Sequence, residues 1–185
     1  MADQNTPVDL GALHDAILAA IKAAFPSLAY VDDYPLDRKP KAVPACLVEC
    51  DEMEPANDED SGTGQQSLAL RFNARLILPF RTATAGREIR IMAAALSALV
   101  HENRWGQIIN PAEVLGCFPD AFDPDLDQYL VWRVEWRQVG QFGVSIWADA
   151  GPAVPGVYLG FSPDIGPDHL ADYIKIPMPT ASGGA

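Results

Sequence analysis

Cysteine and histidine are scarce in this chain of 185 residues, which contains three of each. Cys46 and Cys50 fall in one predicted strand, where they would lie about 13 Å apart. That separation is too large for a disulfide. It is also too wide for a pair of zinc ligands, and two further ligands would be needed. We therefore expect free thiols, as in a reducing compartment, and no bound zinc.

Long hydrophobic runs are absent as well. No stretch approaches the 18 apolar residues of a membrane-spanning helix. The first seven residues are polar, with no basic start and no apolar run, so we expect no signal peptide. The chain is expected to be made and kept in a cytosol.

Positive charge is also in short supply. There are 13 Lys and Arg against 25 Asp and Glu, for a net charge of −12. This balance argues against nucleic-acid binding, which requires a basic surface. Half of this net negative charge comes from one short acidic run: Asp51, Glu52, Glu54, Asp58, Glu59 and Asp60. Such a run is most often a solvated loop.

Motifs that carry catalysis or hold a cofactor are missing. His14, His101 and His169 have no partner at metal-ligand spacing, and helix positions favour surface or capping roles for the first two. No glycine-rich loop leads into Lys-Ser or Lys-Thr, as a phosphate-binding loop would. The sequence GFSPDIG is not a nucleophile elbow. We therefore predict no catalytic residues, no cofactor and no enzymatic activity.

A calcium loop is excluded by its key positions. Asp123, Asp125 and Asp127 alternate like the start of an EF-hand, but Gln128 stands where glycine is needed and Val134 where glutamate is needed. These aspartates are better explained as turn residues, so no metal site is predicted.

Two amphipathic helices are predicted from hydrophobic periodicity. The first has apolar residues at spacings of three and four from Leu10 to Ala24, is capped by Asp9 and ends before Pro26. The second begins near Thr84 and continues to about Asn103 with a regular apolar stripe.

Alternating or β-branched apolar residues predict the strands 28–33, 45–50, 68–79, 113–118 and 128–142. The clearest is 68–79, which has one apolar face and two arginines on the other. Helices that flank groups of strands favour an α+β fold. We expect a mostly antiparallel sheet with both helices packed on one face.

A change in composition divides the chain into a domain, 1–150, and an extended C-terminal arm, 151–185. The arm contains six Gly and six Pro within 35 residues. Apolar residues continue into it although it is too rich in Pro and Gly to fold alone. They predict an assembly interface that includes Trp147, Tyr158, Phe161, Ile165 and Tyr173. The arm is expected to pack on a neighbouring subunit or an adjoining neck ring; the alternative is that it folds back on its own domain.

A second candidate surface is the segment 54–66, which is acidic and then glycine-rich. A connection of this length inside a compact domain is usually functional or disordered. We predict a docking loop that is mobile in the free subunit and ordered on docking, with these residues: Glu54, Asp58, Glu59, Asp60, Gly62 and Gly64.

Several segments together resemble the tail terminator (tail completion) proteins of Mu-like and lambda-like tailed phages. They are ALHDAILAAIKAAFP, PACLVECDEMEP, DEDSGTGQ, LALRFNARLIL, ALVHENRWGQ and VLGCFPDAFDPDLDQYLVWRVEWRQ. The resemblance covers residues 10–142 and extends loosely through GFSPDIGPDHLADY. It is one of pattern and order, because none of these segments is a chemical signature. The length beyond Phe142 departs from the family.

The resemblance implies a small α/β subunit of a hexameric ring. Such a ring caps the tail tube, ends its polymerisation and joins tail to head. The implied partners are further copies of the chain, the tail tube protein and a head–tail connector protein. DNA would pass through the ring without specific binding, and no membrane is involved. The protein would reside in the tail or neck of the virion after assembly in the host cytoplasm.

Two alternatives remain open from the sequence. The first is another neck component, such as a stopper of the head–tail connector. The second, from a different class, is a small hydrolase or metal-dependent enzyme, which would need a polar constellation that the sequence does not display.

Overall fold

The computed structural model describes residues 6–34, 40–80, 84–120, 129–147 and 156–176. The chain divides into two compact units, Met1–Ala148 and Asp149–Ala185. This boundary lies close to the change in composition at Gly151. The aspartates at 123, 125 and 127, predicted to form turns, lie outside the described residues.

The N-terminal unit is an α+β fold. Its described elements are α1 (Leu10–Ala24), β1 (Tyr30–Asp33), β2 (Ala45–Pro55), a 3-10 helix (Asn57–Glu59), β3 (Gln66–Pro79), α2 (Ala85–Val100), β4 (Glu113–Pro119) and β5 (Tyr129–Phe142). The five strands form one sheet in the order β1-β2-β3-β5-β4. Only β1 and β2 pair in parallel. The predicted fold class is confirmed.

The first helix forms where the sequence predicts it. The Asp9 carboxylate accepts a hydrogen bond of 3.0 Å from the Ala12 amide, which satisfies one of the free donors of the first turn. Leu13, Ile17 and Ile21 are fully buried. The helix ends at Ala24, just before Pro26, whose ring is incompatible with a further turn.

The second helix buries the predicted stripe but is shorter than expected. Ile89, Ala93, Leu96 and Val100 are buried. The helix ends at Val100 rather than near Asn103, because the backbone leaves the helical region at His101, with a ψ of 122°, and is left-handed at Glu102, with a φ of 57°.

Both helices pack on the same face of the sheet. The even-numbered residues of β3 from Leu70 to Leu78 point toward them and join one continuous core with α1, α2 and β5. At its centre the rings of Phe72 and Trp136 stack with centroids 5.4 Å apart. A ring pair of this kind contributes about 0.5–1.5 kcal/mol beyond its buried area.

One strand is longer than its sequence predicts. Strand β2 continues from Cys50 to Pro55, through an acidic stretch of low strand propensity. A register shift between Cys50 and Glu52 allows the pairing with β3 to continue. Glu52 then forms a 2.9 Å ion pair with Arg71 of β3. Cross-strand pairing therefore compensates for poor local propensity.

The C-terminal unit contains a small antiparallel hairpin. Strands β6 (Val157–Leu159) and β7 (Ile174–Ile176) pair with each other, and a 3-10 helix (Pro167–Asp172) lies between them. Every residue of both strands is exposed. None of the helices in the described parts of the chain has the length and apolar character required to cross a membrane.

Candidate assembly surfaces

The sheet face opposite the helices carries arginines that are held by carboxylates. Arg75 is the most enclosed, with a side chain 14% exposed. Its guanidinium lies 2.8 Å from Glu49 and 3.1 Å from Asp120. It also stacks 4.3 Å from the ring centre of Tyr34. Burial alone would lower the pKa of Arg75, but the hydrogen bond and charge of Glu49 raise it above its ordinary value.

The other arginines of this face also lie near carboxylates. Arg71 contacts Glu52 at 2.9 Å, and Arg137 contacts Glu59 at 2.9 Å. Arg133 lies 3.9 Å from Glu135. Because each guanidinium already faces a carboxylate, this sheet face is not a cationic surface for phosphates.

The predicted docking loop is anchored on this same face through Glu59. Its carboxylate accepts hydrogen bonds from Arg137 at 2.9 Å and from Asn110 at 3.1 Å. Its backbone carbonyl accepts two more, from the Ser67 hydroxyl and the Gln141 amide. Glu59 is thus a structural anchor rather than a free acid.

Farther along, the docking loop turns back on itself. The Asp60 carboxylate accepts a hydrogen bond of 2.9 Å from the Gly62 amide. Gly62 and Gly64 have φ values of 70° and 73°, a conformation that favours glycine. Asp58 is exposed within the 3-10 helix, and Glu54 is exposed near the end of β2. These bonds favour an ordered loop, and the mobility of this segment in the free subunit stays a prediction.

The docking loop lies beside the segment that contains Trp147. The Gln65 side chain donates a 2.9 Å hydrogen bond to the Gly143 carbonyl, and the Ile146 amide donates one of 2.9 Å to the Thr63 carbonyl. The missing side chain of Gly64 leaves room for Ile146, whose Cγ2 would be only 2.7 Å from an added Cβ. Two regions that the sequence predicts separately therefore meet at one end of the sheet.

Three large apolar side chains project from this end: Val144, Ile146 and Trp147, with exposures of 82%, 63% and 66%. We call them the apolar tip. Between them Ser145 is 2% exposed. Sequence reasoning identified Trp147 but missed Val144 and Ile146. The signal was the alternation in Gly-Val-Ser-Ile-Trp, directly after β5.

The remaining predicted interface residues lie in the C-terminal unit. Tyr158, Phe161 and Ile165 are 55%, 65% and 52% exposed. Tyr173 is partly buried, and its hydroxyl accepts a 2.9 Å hydrogen bond from the Gly166 amide. Three of these four side chains are thus available for contacts, while Tyr173 helps to hold the hairpin connection.

A cleft of about 400 Å³ in the N-terminal unit is the strongest candidate for small-molecule chemistry. Glu59, Glu113 and Arg137 line it together with His101 and other residues, and its lining contains no hydroxyl, thiol or amine nucleophile. Glu59 is already held by Arg137. The cleft therefore lacks the hydroxyl, thiol or amine nucleophile of many covalent mechanisms.

The buried thiols are poorly suited to nucleophilic chemistry. Burial raises the pKa of Cys46 to about 12. Burial, with the charges of Asp51 and Glu49, raises that of Cys50 to about 11. Both remain protonated near neutral pH, and a thiol is a weak nucleophile compared with its thiolate. In the described ranges, no group of three or more His, Cys, Asp or Glu side chains is placed to hold a metal ion.

Comparison with known proteins adds little information about function to this geometry. No family model matches the sequence, and no curated protein matches it. A chain from a solved structure described as "Virion of native gene transfer agent (GTA) particle" is 17% identical, with a TM-score of 0.45. The match covers 71% of this chain and 94% of that one. A likeness this weak does not assign a function, so the resemblance to tail terminators stays a hypothesis.

Proposed function

We propose that this protein is a structural virion subunit that forms a hexameric ring on the tail tube of a tailed phage. The ring ends tube polymerisation and provides the surface that joins the tail to the head. The observation that carries the proposal is the set of large apolar side chains exposed on both units. Exposed apolar groups gathered in this way mark surfaces for protein partners.

The apolar tip supports contact with another virion protein. Ile146 is held in place by the hydrogen bond of its amide to the docking loop, and Trp147 by the bond of its amide to Ser145. A contact surface that is ordered before binding loses less conformational entropy when its partner arrives. Tryptophan is also among the residues that most often dominate binding energy. The tip suits a rigid partner such as the tail tube protein.

The C-terminal unit supports a second contact. A two-stranded hairpin is marginally stable in water without a further packing surface. Every residue of its two strands is exposed, so a further packing surface is needed to stabilise the hairpin. We propose that it packs on a neighbouring subunit or on a head–tail connector protein.

Charge is consistent with a channel that DNA passes through without being held. The arginines of the open sheet face are ion-paired, and the chain as a whole carries a net charge of −12. A hexamer would carry about −72, enough to repel phosphates along a narrow channel.

Electron microscopy of particles made without this protein tests the proposal. Overlong or headless tails are the expected result. Heads that leak DNA beside tails of normal length would instead identify a stopper. A mass measurement together with a metal analysis addresses the enzymatic alternative, which a monomer with bound metal would favour.

Single substitutions test the C-terminal contact. Phe161→Ser removes an exposed aromatic ring from the C-terminal unit, and we expect it to lower the yield of joined particles. Phe80→Ser is a matched control, because Phe80 is also 65% exposed but lies just after β3 in the N-terminal unit. Equal yields from the two variants would contradict the proposed contact.

A further inference from the structure

Two exposed cations without an acidic partner lie one turn apart on α2. Arg87 and Arg90 are exposed and form no ion pair with any described residue, unlike the four arginines of the sheet. Ile91 beside them is 60% exposed. Glu88, which is hydrogen-bonded to Thr84, lies between the two arginines, so this part of α2 combines a net positive charge with an exposed apolar side chain. We call Arg87, Arg90 and Ile91 the basic helix face.

The outer edge of β2 has the opposite charge. Its neighbour β1 pairs with it only as far as Val48. Beyond that residue, no described strand pairs with this outer edge. Asp51 and Glu54 are exposed here, and Met53 is 49% exposed. We call residues 50–55 the acidic edge, because it joins negative charge, an apolar side chain and unpaired backbone.

These two surfaces lie toward opposite sides of the sheet. The strand order places β2 near one margin and β4 at the other. The helix α2 packs over β5, β4 and β3, whereas α1 packs by β1. Each surface would repel a copy of itself, so a symmetric dimer through either is disfavoured. Each instead complements the other on a second copy of the chain.

We infer that the basic helix face of one copy docks against the acidic edge of the next. The partner is a second copy, because its charge and its exposed apolar side chains match those of the edge. A contact between two different surfaces is heterologous, and repeating it generates a closed ring when the rotation closes. This inference rests on the proposed ring and assigns the interface between its subunits.

Charge reversal on each surface tests the interface, and mixing the two reversed variants tests whether ring formation is restored. The edge variant carries Glu54→Lys and Asp51→Asn, which keeps an acceptor for the buried Asn73 amide, and the helix variant carries Arg87→Glu and Arg90→Glu. Each should be monomeric alone, with an association constant at least about tenfold below that of the wild type. Lys22→Glu with Arg104→Glu is the control, because it reverses two exposed cations outside the basic helix face and should leave the ring intact.

Mixing the two variants should restore the ring. Every contact in the mixture then joins opposite charges, provided that the two variants alternate around the ring. Alternation closes only when the number of subunits is even, as in a hexamer. Native mass spectrometry of an equimolar mixture should show equal numbers of each variant. Folded variants that remain monomeric when mixed would overturn the interface.

The wild-type protein supplies a measurement that does not depend on the variants folding. Because opposite charges attract across this interface, raising NaCl from low to high concentration should weaken ring formation by at least about tenfold. A wild-type ring that is insensitive to salt, or that survives both charge reversals, overturns this interface but leaves the ring proposal intact. A wild-type protein that stays monomeric at all concentrations and salt levels overturns the ring itself.

Discussion

Replacing Gln138 with leucine should destabilise the N-terminal unit by about 3–6 kcal/mol. Gln138 is 1% exposed, and its side-chain amide uses all of its hydrogen-bonding capacity. Its oxygen accepts from the indole nitrogens of Trp105 and Trp136 at 2.9 and 3.3 Å. Its nitrogen donates to the carbonyls of Asn103 and Asn110 at 3.1 and 3.0 Å.

The magnitude follows from the groups that lose their only partner. Leucine has nearly the same size but no polar atom, so two buried indole N–H groups and the Asn110 carbonyl would lose their hydrogen bonds, whereas the Asn103 carbonyl keeps a 2.9 Å bond from the Ala112 amide. Each unsatisfied buried group costs about 1–3 kcal/mol, reduced where water or a local shift provides a substitute. The total is a large share of the 5–15 kcal/mol that separates typical folded domains from the unfolded state.

Urea unfolding monitored by tryptophan fluorescence measures the effect directly, because two of the affected groups are indoles. Gln107→Leu is the control, since the Gln107 side chain is partly exposed and makes no hydrogen bond with a described residue. It should change the free energy of unfolding by less than about 0.5 kcal/mol. A Gln138→Leu variant within 1 kcal/mol of the wild type would refute the reasoning.

Three further predictions concern the core, the pH dependence and the C-terminal arm. Leu96→Asp should abolish the cooperative thermal transition seen by circular dichroism, because Leu96 is fully buried and an unpaired buried carboxylate costs several kcal/mol. A soluble variant that melts cooperatively would contradict this prediction. The free energy of unfolding should fall as pH rises from about 9 toward 12, since the unfolded chain releases the Cys46 proton near its ordinary pKa of 9.0 while the folded protein holds it up to about 12. Urea titrations between pH 8 and 11 should show a smaller fall for Cys46→Ala, and equal slopes would be the opposing result. Truncation after Ala150 should leave the melting of the N-terminal unit nearly unchanged but prevent the joining of heads to tails. Loss of the cooperative melt would instead mean that the arm is part of the hydrophobic core of its own chain.

In the docking loop, distant partners offset a repulsion that the sequence alone suggests. Six acidic residues between Asp51 and Asp60 repel one another in the sequence, which favours disorder. In the fold, Glu52 pairs with Arg71, and Glu59 pairs with Arg137. Amide hydrogen exchange on the isolated subunit should therefore show protection of the Ile146 amide, which donates to this loop.

The local sequence alone determined the elements in which buried residues recur at a regular spacing along the chain. Leu13, Ile17 and Ile21 recur at helical spacing, and the apolar residues of β3 alternate, so the side of each element that packs against the helices or the sheet is already specified. The α+β class and the placement of both helices on one sheet face followed from those patterns. No knowledge of distant contacts was needed for them.

Only the tertiary structure decided the features that depend on partners far away in the chain. Glu59 and Arg137 are 78 residues apart, and Trp105 and Gln138 are 33 apart. Neither pair produces a periodic pattern in the sequence. The extension of β2 to Pro55 likewise depends on β3, whose Arg71 compensates an acidic residue that would otherwise disfavour a strand. Local propensities differ by only about 1 kcal/mol, so cross-strand pairing and burial of distant residues override them.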